Sequence, residues 1–160
     1  MAPFIGDRTP RILVVDDEPA HRRVLADYLT LWGCIVHTAA NGQEALSGTA
    51  GFNPDLILLD IMMPGLSGFE VCDALRVDLA TRHTPVIFLT ALSGEEARIR
   101  GFDSGGLDYV VKPFVAADLA ARVGARLRQK YAEDELRTRN RELSQQLAKG
   151  HSKTAPGADE

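Results

Sequence analysis

Acidic residues follow two short apolar runs of the sequence that have the composition of buried strands. Asp16 and Asp17 follow "RILVV", and Asp60 follows "LILL". Carboxylates at the ends of neighbouring strands repel one another, and burial strengthens that repulsion. A fold tolerates such a cluster when a cation lies among the acids, and carboxylate oxygens suit Mg²⁺. A zinc site is disfavoured, because no cluster of His or Cys accompanies these acids in the sequence.

Two other apolar runs end in residues that can assist a phosphoryl group. Thr90 ends "PVIFLT" with a hydroxyl group, and Lys112 ends "DYVVK" with an ammonium group. A metal, a lysine and a hydroxyl around one carboxylate form a binding site for a phosphoryl group. In such a site Asp60 would act as the nucleophile and form an aspartyl-phosphate. The metal and Lys112 would neutralise charge on the phosphoryl oxygens during transfer.

Five apolar runs of strand length alternate with segments of helical periodicity. This alternation predicts an α/β fold, a doubly wound five-stranded parallel sheet with helices on both faces. Right-handed crossovers favour the flavodoxin-like order 2-1-3-4-5, so the polar ends of strands one, three, four and five meet at one edge. The strands are apolar throughout, as expected for strands covered on both sides. The predicted strands are Arg11–Asp16, Cys34–Ala39, Asp55–Asp60, Pro85–Thr90 and Asp108–Lys112.

Helix signals separate these strands. The segments "EPAHRRVLADYLTLWG" and "NGQEALSGTAGF" predict the first two helices. Capping boxes at Ser67–Glu70 and Ser93–Glu96 predict the third and fourth helices, the third with an apolar face that reaches Leu79. The last helix begins near Val115 and meets no breaker as strong as proline until Pro156. An extended last helix is therefore expected.

Length and composition are those of an ordinary soluble globular protein. The chain has 160 residues, of which 45% are apolar and 25% charged, enough for one domain with an appendage. No apolar stretch reaches the length of a membrane span, and the N-terminus lacks the features of a signal peptide. Cys34 and Cys72 lie in apolar patterns, which favours buried thiols over a disulfide or a metal site. A cytoplasmic protein without membrane association is expected.

The charge is distributed unevenly along the chain. The formal net charge is −4, but residues 126–149 carry seven Lys/Arg and four Asp/Glu, a local net charge of +3. The remainder of the chain therefore carries −7. A mildly basic helix on an acidic body is better explained as a solvated helix face than as a nucleic-acid-binding surface. Direct binding of nucleic acid is not expected, and no site role is predicted for the scattered histidines His21, His37, His83 and His151.

The end of the last helix has an apolar spacing of its own. Leu136, Asn140, Leu143 and Leu147 are spaced 4, 3, 4, as at the d, a, d and a positions of a heptad repeat. An Asn at a core a position favours a parallel two-stranded register, so a homodimer through this helix is one expectation. Only about two heptads are clear, and a single amphipathic or frayed helix stays open as the alternative.

Four motifs occur in order, each after its own predicted strand. They are "VVDDEP", "LLDIMMPGLSGFEVC", "PVIFLTA" and "GGLDYVVKPF". Together they resemble the receiver domain of response regulators in two-component signalling, over about residues 11–125. The resemblance implies a phosphoacceptor switch rather than an enzyme, catalysing at most its own phosphorylation and dephosphorylation. Asp60 would receive the phosphoryl group from a partner histidine kinase or phosphotransfer protein.

The resemblance also implies which residues hold Mg²⁺. Asp17 matches a direct ligand of the metal, and Asp16 matches one that acts directly or through water. Asp60 would contribute a carboxylate oxygen to the same ion. Met62, two residues after Asp60, is similar to the position that provides a backbone carbonyl.

A switch is implied in the same way. Thr90 matches the hydroxyl residue that reaches for the phosphoryl group, and Tyr109 matches the aromatic that then swings inward. Lys112 matches the lysine that pairs with the phosphate. The Lys112–Pro113 bond is cis in relatives. The resulting shift would change the face formed by the fourth helix, the fifth strand and the last helix.

The resemblance, together with the composition of the two ends, divides the chain into four segments: a flexible lead at 1–10, the receiver at 11–127, a helical extension at 128–149 that is a possible coiled coil, and a disordered tail at 150–160. In many relatives, a helix like "ELRTRNRELSQQL" leads into an output domain such as a cyclase, kinase or phosphatase. Either the chain acts through partner proteins or it is a piece of a longer protein, and the sequence leaves both open.

The sequence argues against two other functions and leaves a third open. A Mg²⁺-dependent phosphatase with an aspartyl nucleophile would need a second acid two residues after Asp60, where the chain has Met62. A flavodoxin-like cofactor binder would need a loop rich in Ser, Thr and Gly after the first strand, where the chain has the acidic "DDEPAH". The alternative that stays open is a constitutive receiver-like scaffold that binds partners without phosphotransfer.

Overall fold

A parallel sheet organises the chain in this computed structural model, which describes residues 7–91 and 108–154. The strands lie in the predicted order, with strand two at one edge and strand five at the other. The first and fifth strands end one residue earlier than predicted, which leaves Asp16 and Lys112 in the loops that follow them. The strands are β1 (Arg11–Val15), β2 (Ile35–Ala39), β3 (Leu56–Asp60), β4 (Val86–Thr90) and β5 (Asp108–Val111).

Four helices accompany these strands in the described ranges: α1 (Pro19–Leu31), α2 (Gly42–Phe52), α3 (Gly68–Val77) and α4 (Ala116–Thr154). The chain passes from β1 outward to β2 and then back across β1 to β3. The connections from β1 to β2 and from β2 to β3 run in opposite directions across the sheet. Because both crossovers are right-handed, α1 lies on one face of the sheet and α2 on the other. The doubly wound α/β fold is therefore confirmed. The predicted fourth helix, which starts at Ser93–Glu96, lies outside the described residues.

The core is formed around the three central strands. Every residue of β3 and β4 is buried, and so is every residue of β1 after Arg11. The expectation that all strands are covered on both sides was wrong for the edge strands β2 and β5, in which Ile35 and Val111 are each 42% exposed. The reason is their place in the sheet, since an edge strand has a neighbouring strand on one side only.

The predicted capping box at the start of α3 is present. Ser67 Oγ accepts a hydrogen bond from the backbone N–H of Glu70 at 3.2 Å, and Glu70 Oε1 accepts one from the N–H of Ser67 at 3.3 Å. The predicted extension of the helix to Leu79 was wrong. Asp78 has an extended backbone at the C-cap, and its carboxylate accepts a hydrogen bond from Ala80 N at 2.9 Å, which turns the chain away.

The loop that follows α3 is held by one guanidinium group. Arg76 Nη1 donates to the carbonyl oxygens of Thr84 at 2.8 Å, Arg82 at 3.2 Å and Thr81 at 3.4 Å. Thr81 Oγ1 also donates to Leu75 O at 2.7 Å. These bonds fix the approach to β4 although the loop has no regular structure of its own.

Both cysteines are buried and free, as predicted. Burial, assisted by the charge of Asp55, raises the pKa of the Cys34 thiol to about 11. Burial also raises the pKa of Cys72. At neutral pH both side chains are therefore protonated and serve as small apolar groups.

By its internal contacts the chain divides into two compact units, Met1–Lys130 and Tyr131–Glu160. The second unit is helical through Thr154. Its apolar residues at the predicted heptad positions face solvent, with exposures of 59% for Leu136, 55% for Leu143 and 66% for Leu147. No helix in the described part of the chain has the length and apolar composition needed to cross a bilayer.

Candidate metal centre

Three carboxylates meet at the carboxyl edge of the sheet. Oxygen atoms of Asp16, Asp17 and Asp60 lie within 4.8 Å of one another. Asp16 is fully buried and Asp60 is 4% exposed, whereas Asp17 is open to solvent. The arrangement follows from the strand order, because β1 and β3 are neighbours and end at the same edge.

Residues of β2, of α1 and of the loop after β1 hold Asp16 through its backbone and one of its carboxylate oxygens. Asp16 N donates to Ala39 O at 3.2 Å, and Asp16 O accepts a hydrogen bond from Arg22 Nη1 at 2.7 Å. Asp16 Oδ1 accepts one from Glu18 N at 2.9 Å. The second oxygen, Oδ2, lies 3.0 Å from Lys112 Nζ and 3.4 Å from His21 Nδ1. It makes no well-directed hydrogen bond within the described ranges.

Asp60 projects from the last position of β3. Its Oδ1 accepts a hydrogen bond from Met62 N at 3.2 Å, and its Oδ2 accepts one from Lys112 Nζ at 3.3 Å. The Met62 side chain is 68% exposed, so it is the backbone of this residue that faces the site.

The single ammonium group of Lys112 forms ion pairs with both buried carboxylates. Its side chain is 14% exposed. Its backbone N–H donates to Thr90 O at 2.8 Å, which fixes the start of the loop after β5 beside the end of β4. The following Lys112–Pro113 peptide bond is cis.

The charges at this edge do not balance. Burial, with the negative charge of Asp16 as the next cause, raises the pKa of Asp60 to about 6, although Lys112 acts in the opposite direction. Burial lowers the pKa of Lys112, but the two carboxylates beside its ammonium group, those of Asp16 and Asp60, outweigh this effect, so the pKa of Lys112 is raised. Three ionised carboxylates and one ammonium group leave a net charge of −2.

This donor set fits a hard divalent cation. The converging atoms are carboxylate oxygens, and the Oδ2 atom of Asp16 is buried without a directed hydrogen bond among the described residues. An oxygen-only set with net negative charge suits Mg²⁺ better than zinc, which favours Cys and His ligands. Asp16, Asp17 and Asp60 are thus the residues that could hold the ion.

The two predicted switch residues lie on adjacent strands. Thr90 ends β4 with 1% exposure, next to Leu89, which pairs with Asp60 across the sheet. Tyr109, on β5, is partly buried and packs against the main apolar cluster. The guanidinium carbon of Arg122 lies 5.7 Å from the centroid of its ring.

A sequence model of the response regulator receiver domain matches residues 12–124. The chain belongs to this family. Receiver domains are parts of two-component response regulators, so the receiver resemblance of the sequence is confirmed.

Several known proteins are similar to this receiver. Response regulator PleD of Caulobacter vibrioides is 49% identical over 129 residues, covering 81% of this chain and 28% of PleD. Transcriptional regulatory protein ResD of Bacillus subtilis is 48% identical over 118 residues, covering 74% of this chain and 48% of ResD. The chain thus spans between about a quarter and half the length of these two relatives.

Solved structures agree with the fold. The receiver domain of the Francisella response regulator 1452 superimposes with a TM-score of 0.69 at 35% identity, covering 76% of this chain and 98% of that one. The Vibrio cholerae chemotaxis protein CheY4 gives a TM-score of 0.68 at 32% identity, covering 72% of this chain and 97% of that one.

The receiver structure brings together the predicted acids and Lys112, and it places Thr90 one residue beyond the partner of Asp60. Sequence reasoning missed His21, whose ring nitrogens lie 3.4 Å from Asp16 Oδ2 and 3.4 Å from Glu18 Oε2. The sequence did contain a signal for His21. The first helix begins three residues after Asp16, so a residue in its first turn lies near the Asp16 carboxylate.

Proposed function

We propose that this receiver accepts a phosphoryl group on Asp60 from a histidine kinase or phosphotransfer protein. The observation that carries the proposal is the position of Asp60, at the tip of β3 beside two further acids and within 3.3 Å of Lys112 Nζ. Asp16, Asp17, Asp60 and the backbone carbonyl of Met62 would hold Mg²⁺. The bound ion supplies positive charge that offsets the charge of the phosphoryl oxygens.

Asp60 and Lys112 have different roles in the transfer. A carboxylate oxygen of Asp60 forms a bond to phosphorus as the bond from phosphorus to the donor's imidazole nitrogen breaks, and the donor leaves with that electron pair. Lys112 already lies between the two buried carboxylates, so its ammonium group can turn to a phosphoryl oxygen with a short movement. The protein would thus act as a switch that catalyses at most its own phosphorylation and dephosphorylation.

The phosphoryl group would then bias two conformations of the domain. Thr90 would offer its hydroxyl to a phosphoryl oxygen, and Tyr109 would move inward behind it. The partial burial of Tyr109 supports this step, because a half-buried ring at a core boundary can exchange between two packings. The face that includes β5 and the start of α4 would change shape and alter the binding of a downstream output protein or output domain.

The helical extension would carry the response through a homodimer. The exposed residues Leu136, Leu143 and Leu147 support this proposal, because a helix with apolar side chains at heptad spacing buries them when a second copy packs against it. Asn140 at an a position would set a parallel register. Sedimentation with Mg²⁺, with and without beryllofluoride as a phosphoryl mimic, tests the link between site and assembly. A monomer under both conditions would rule out the homodimer.

Intact mass after incubation with acetyl phosphate and Mg²⁺ tests phosphorylation directly. We expect one added phosphoryl group on the unaltered chain and none on Asp60→Asn. Asp27→Asn, an exposed carboxylate on α1, is the matched control and should be modified like the unaltered chain. A folded, unaltered chain that gains no mass would favour the constitutive scaffold instead.

A further inference from the structure

Two buried polar atoms face each other beside the metal centre. Asp16 Oδ2 and His21 Nδ1 are 3.4 Å apart. Both atoms are shielded from solvent, and neither has a directed hydrogen bond to the residues that the structure describes. One atom is an acceptor and the other can be a donor, so they form a complementary pair. Buried polar atoms without directed hydrogen bonds are unfavourable, which favours closure of this gap.

Lys112 explains why the gap is open in this state. Its ammonium group lies 3.0 Å from Asp16 Oδ2 and 3.3 Å from Asp60 Oδ2, so it supplies the positive charge that Asp16 needs. A phosphoryl group on Asp60 would compete for the same ammonium group. Asp16 Oδ2 would then lose the ammonium group of Lys112, and His21 Nδ1 lies 3.4 Å from the same oxygen.

The His21 ring is held in place by two further contacts. Its Nε2 lies 3.4 Å from Glu18 Oε2, and its edge meets the ring of Phe114 with centroids 5.8 Å apart at 79°. Phe114 lies two residues after Lys112, so the loop after β5 and the loop after β1 both contact His21. The Glu18 side chain is 61% exposed, whereas Asp16 is fully buried, so the stronger contact is with Asp16. That contact favours the tautomer with a proton on Nδ1.

We propose that His21 is a positioning residue for Asp16, and that its Nδ1–H donates to Asp16 Oδ2 when Lys112 turns to the phosphoryl group on Asp60. This inference rests on the proposed function. His21 keeps the Asp16 carboxylate oriented toward the cation during the step in which Lys112 is withdrawn. Residues that orient a metal ligand in this way usually affect metal affinity.

The test compares Mg²⁺ affinity in two states at one pH. In the resting state it is measured by calorimetry. In the phosphorylated-like state it is measured by the fluorine NMR signal of bound beryllofluoride during a Mg²⁺ titration. His21→Leu should weaken Mg²⁺ binding about tenfold in the beryllofluoride state and much less in the resting state. A purely structural role would weaken both equally.

Variants at the same position identify the atom responsible. His21→Asn keeps a donor near the place of Nδ1 and should retain most of the affinity, whereas His21→Gln keeps one near Nε2 and should behave like His21→Leu. Asp27→Asn, on the exposed side of α1, is the control and should match the unaltered chain.

Three results would overturn the inference: equal Mg²⁺ binding by His21→Leu and the unaltered chain with beryllofluoride, equal losses in both states, or a loss in His21→Asn as large as in His21→Leu. If the unaltered chain neither binds beryllofluoride nor gains mass from acetyl phosphate, the proposed function itself fails, and the role of His21 fails with it.

Discussion

Gly68, the first residue of α3, lies directly against the backbone of Asp60, the last residue of β3. A Cβ atom on Gly68 would overlap the carbonyl oxygen of Asp60 and would lie 2.8 Å from Ile61 Cα. Gly68 N also donates to Ile61 O at 2.9 Å. The helix therefore begins in contact with the backbone that aims the Asp60 side chain, and only the absence of a side chain permits this approach.

Gly68→Ala should consequently destabilise the fold and disturb the site. The atoms that a methyl group would meet are backbone atoms, so the chain must move, and we expect a loss of about 1–3 kcal/mol in the free energy of unfolding. Phosphorylation by acetyl phosphate should slow as well. Urea unfolding and intact-mass kinetics measure the two effects.

Gly48→Ala is the matched control for this change. Gly48 lies inside α2, and a Cβ there would meet nothing within 4 Å. Gly48→Ala should raise the free energy of unfolding by about 0.5–1 kcal/mol, because alanine has a higher helix propensity than glycine. Equal stability of Gly68→Ala and the unaltered chain would contradict the close contact between α3 and β3.

Asp60→Asn should stabilise the protein in buffer without Mg²⁺ above pH 6. The pKa of Asp60 is raised by burial to about 6, so the folded state binds its proton more tightly than the unfolded state does. The unaltered chain therefore loses stability as the pH rises from about 4 through about 6, whereas asparagine does not titrate. The expected difference above that range is on the order of 1–3 kcal/mol, and it should largely vanish at pH 4.

Urea unfolding across this pH range, with EDTA present, measures the difference. Asp27→Asn should show no comparable pH-dependent gain. Adding Mg²⁺ should stabilise the unaltered chain more than Asp60→Asn, because the variant loses one of the proposed ligands. A constant difference between Asp60→Asn and the unaltered chain at all pH values would contradict the raised pKa.

Arg76→Ala should lower stability by about 1–3 kcal/mol, because the charged donor that three loop carbonyls share would be lost. The loop precedes β4, so its loosening should also raise amide exchange near Thr84. Arg23→Ala, an exposed arginine on α1, should cost less than about 0.5 kcal/mol. Equal losses for the two variants would argue against a role of Arg76 in holding the loop.

Leu143→Lys should abolish the proposed homodimer, because it places a charge at a core d position. Gln145→Lys, at a neighbouring position outside the heptad core, adds the same charge and should leave association unchanged. Sedimentation of both variants beside the unaltered chain gives the comparison. Association that survives Leu143→Lys would place the interface elsewhere.

The sequence predicted the sheet order and the acidic cluster because both depend on patterns along the chain. Each buried strand is a short apolar run, and each site residue lies at or just after such a run. The exposure of β2 was missed although the predicted order already placed this strand at an edge, because the expectation of burial was applied to all five runs alike, and Ile35–Ala39 contains the polar residues His37 and Thr38.

One site feature could not be predicted from spacing, and a second was overlooked although the spacing gave a signal for it. The contact between Gly68 and Asp60 depends on the path of the loop between β3 and α3, and glycine alone does not show which backbone it approaches. His21 was assigned no role because its partner, Asp16 Oδ2, is shared with Lys112 from the far end of the chain. Such a shared contact arises only when the sheet has assembled.

The unfavourable burial of Asp60 has an evolutionary consequence. If asparagine at position 60 gives a more stable fold, selection for thermal stability alone would favour the change and eliminate the phosphoryl acceptor. A library screened only for heat resistance should then accumulate variants that fold well and no longer respond to a kinase. The Asp60 carboxylate would persist only if selection also required the response to the kinase.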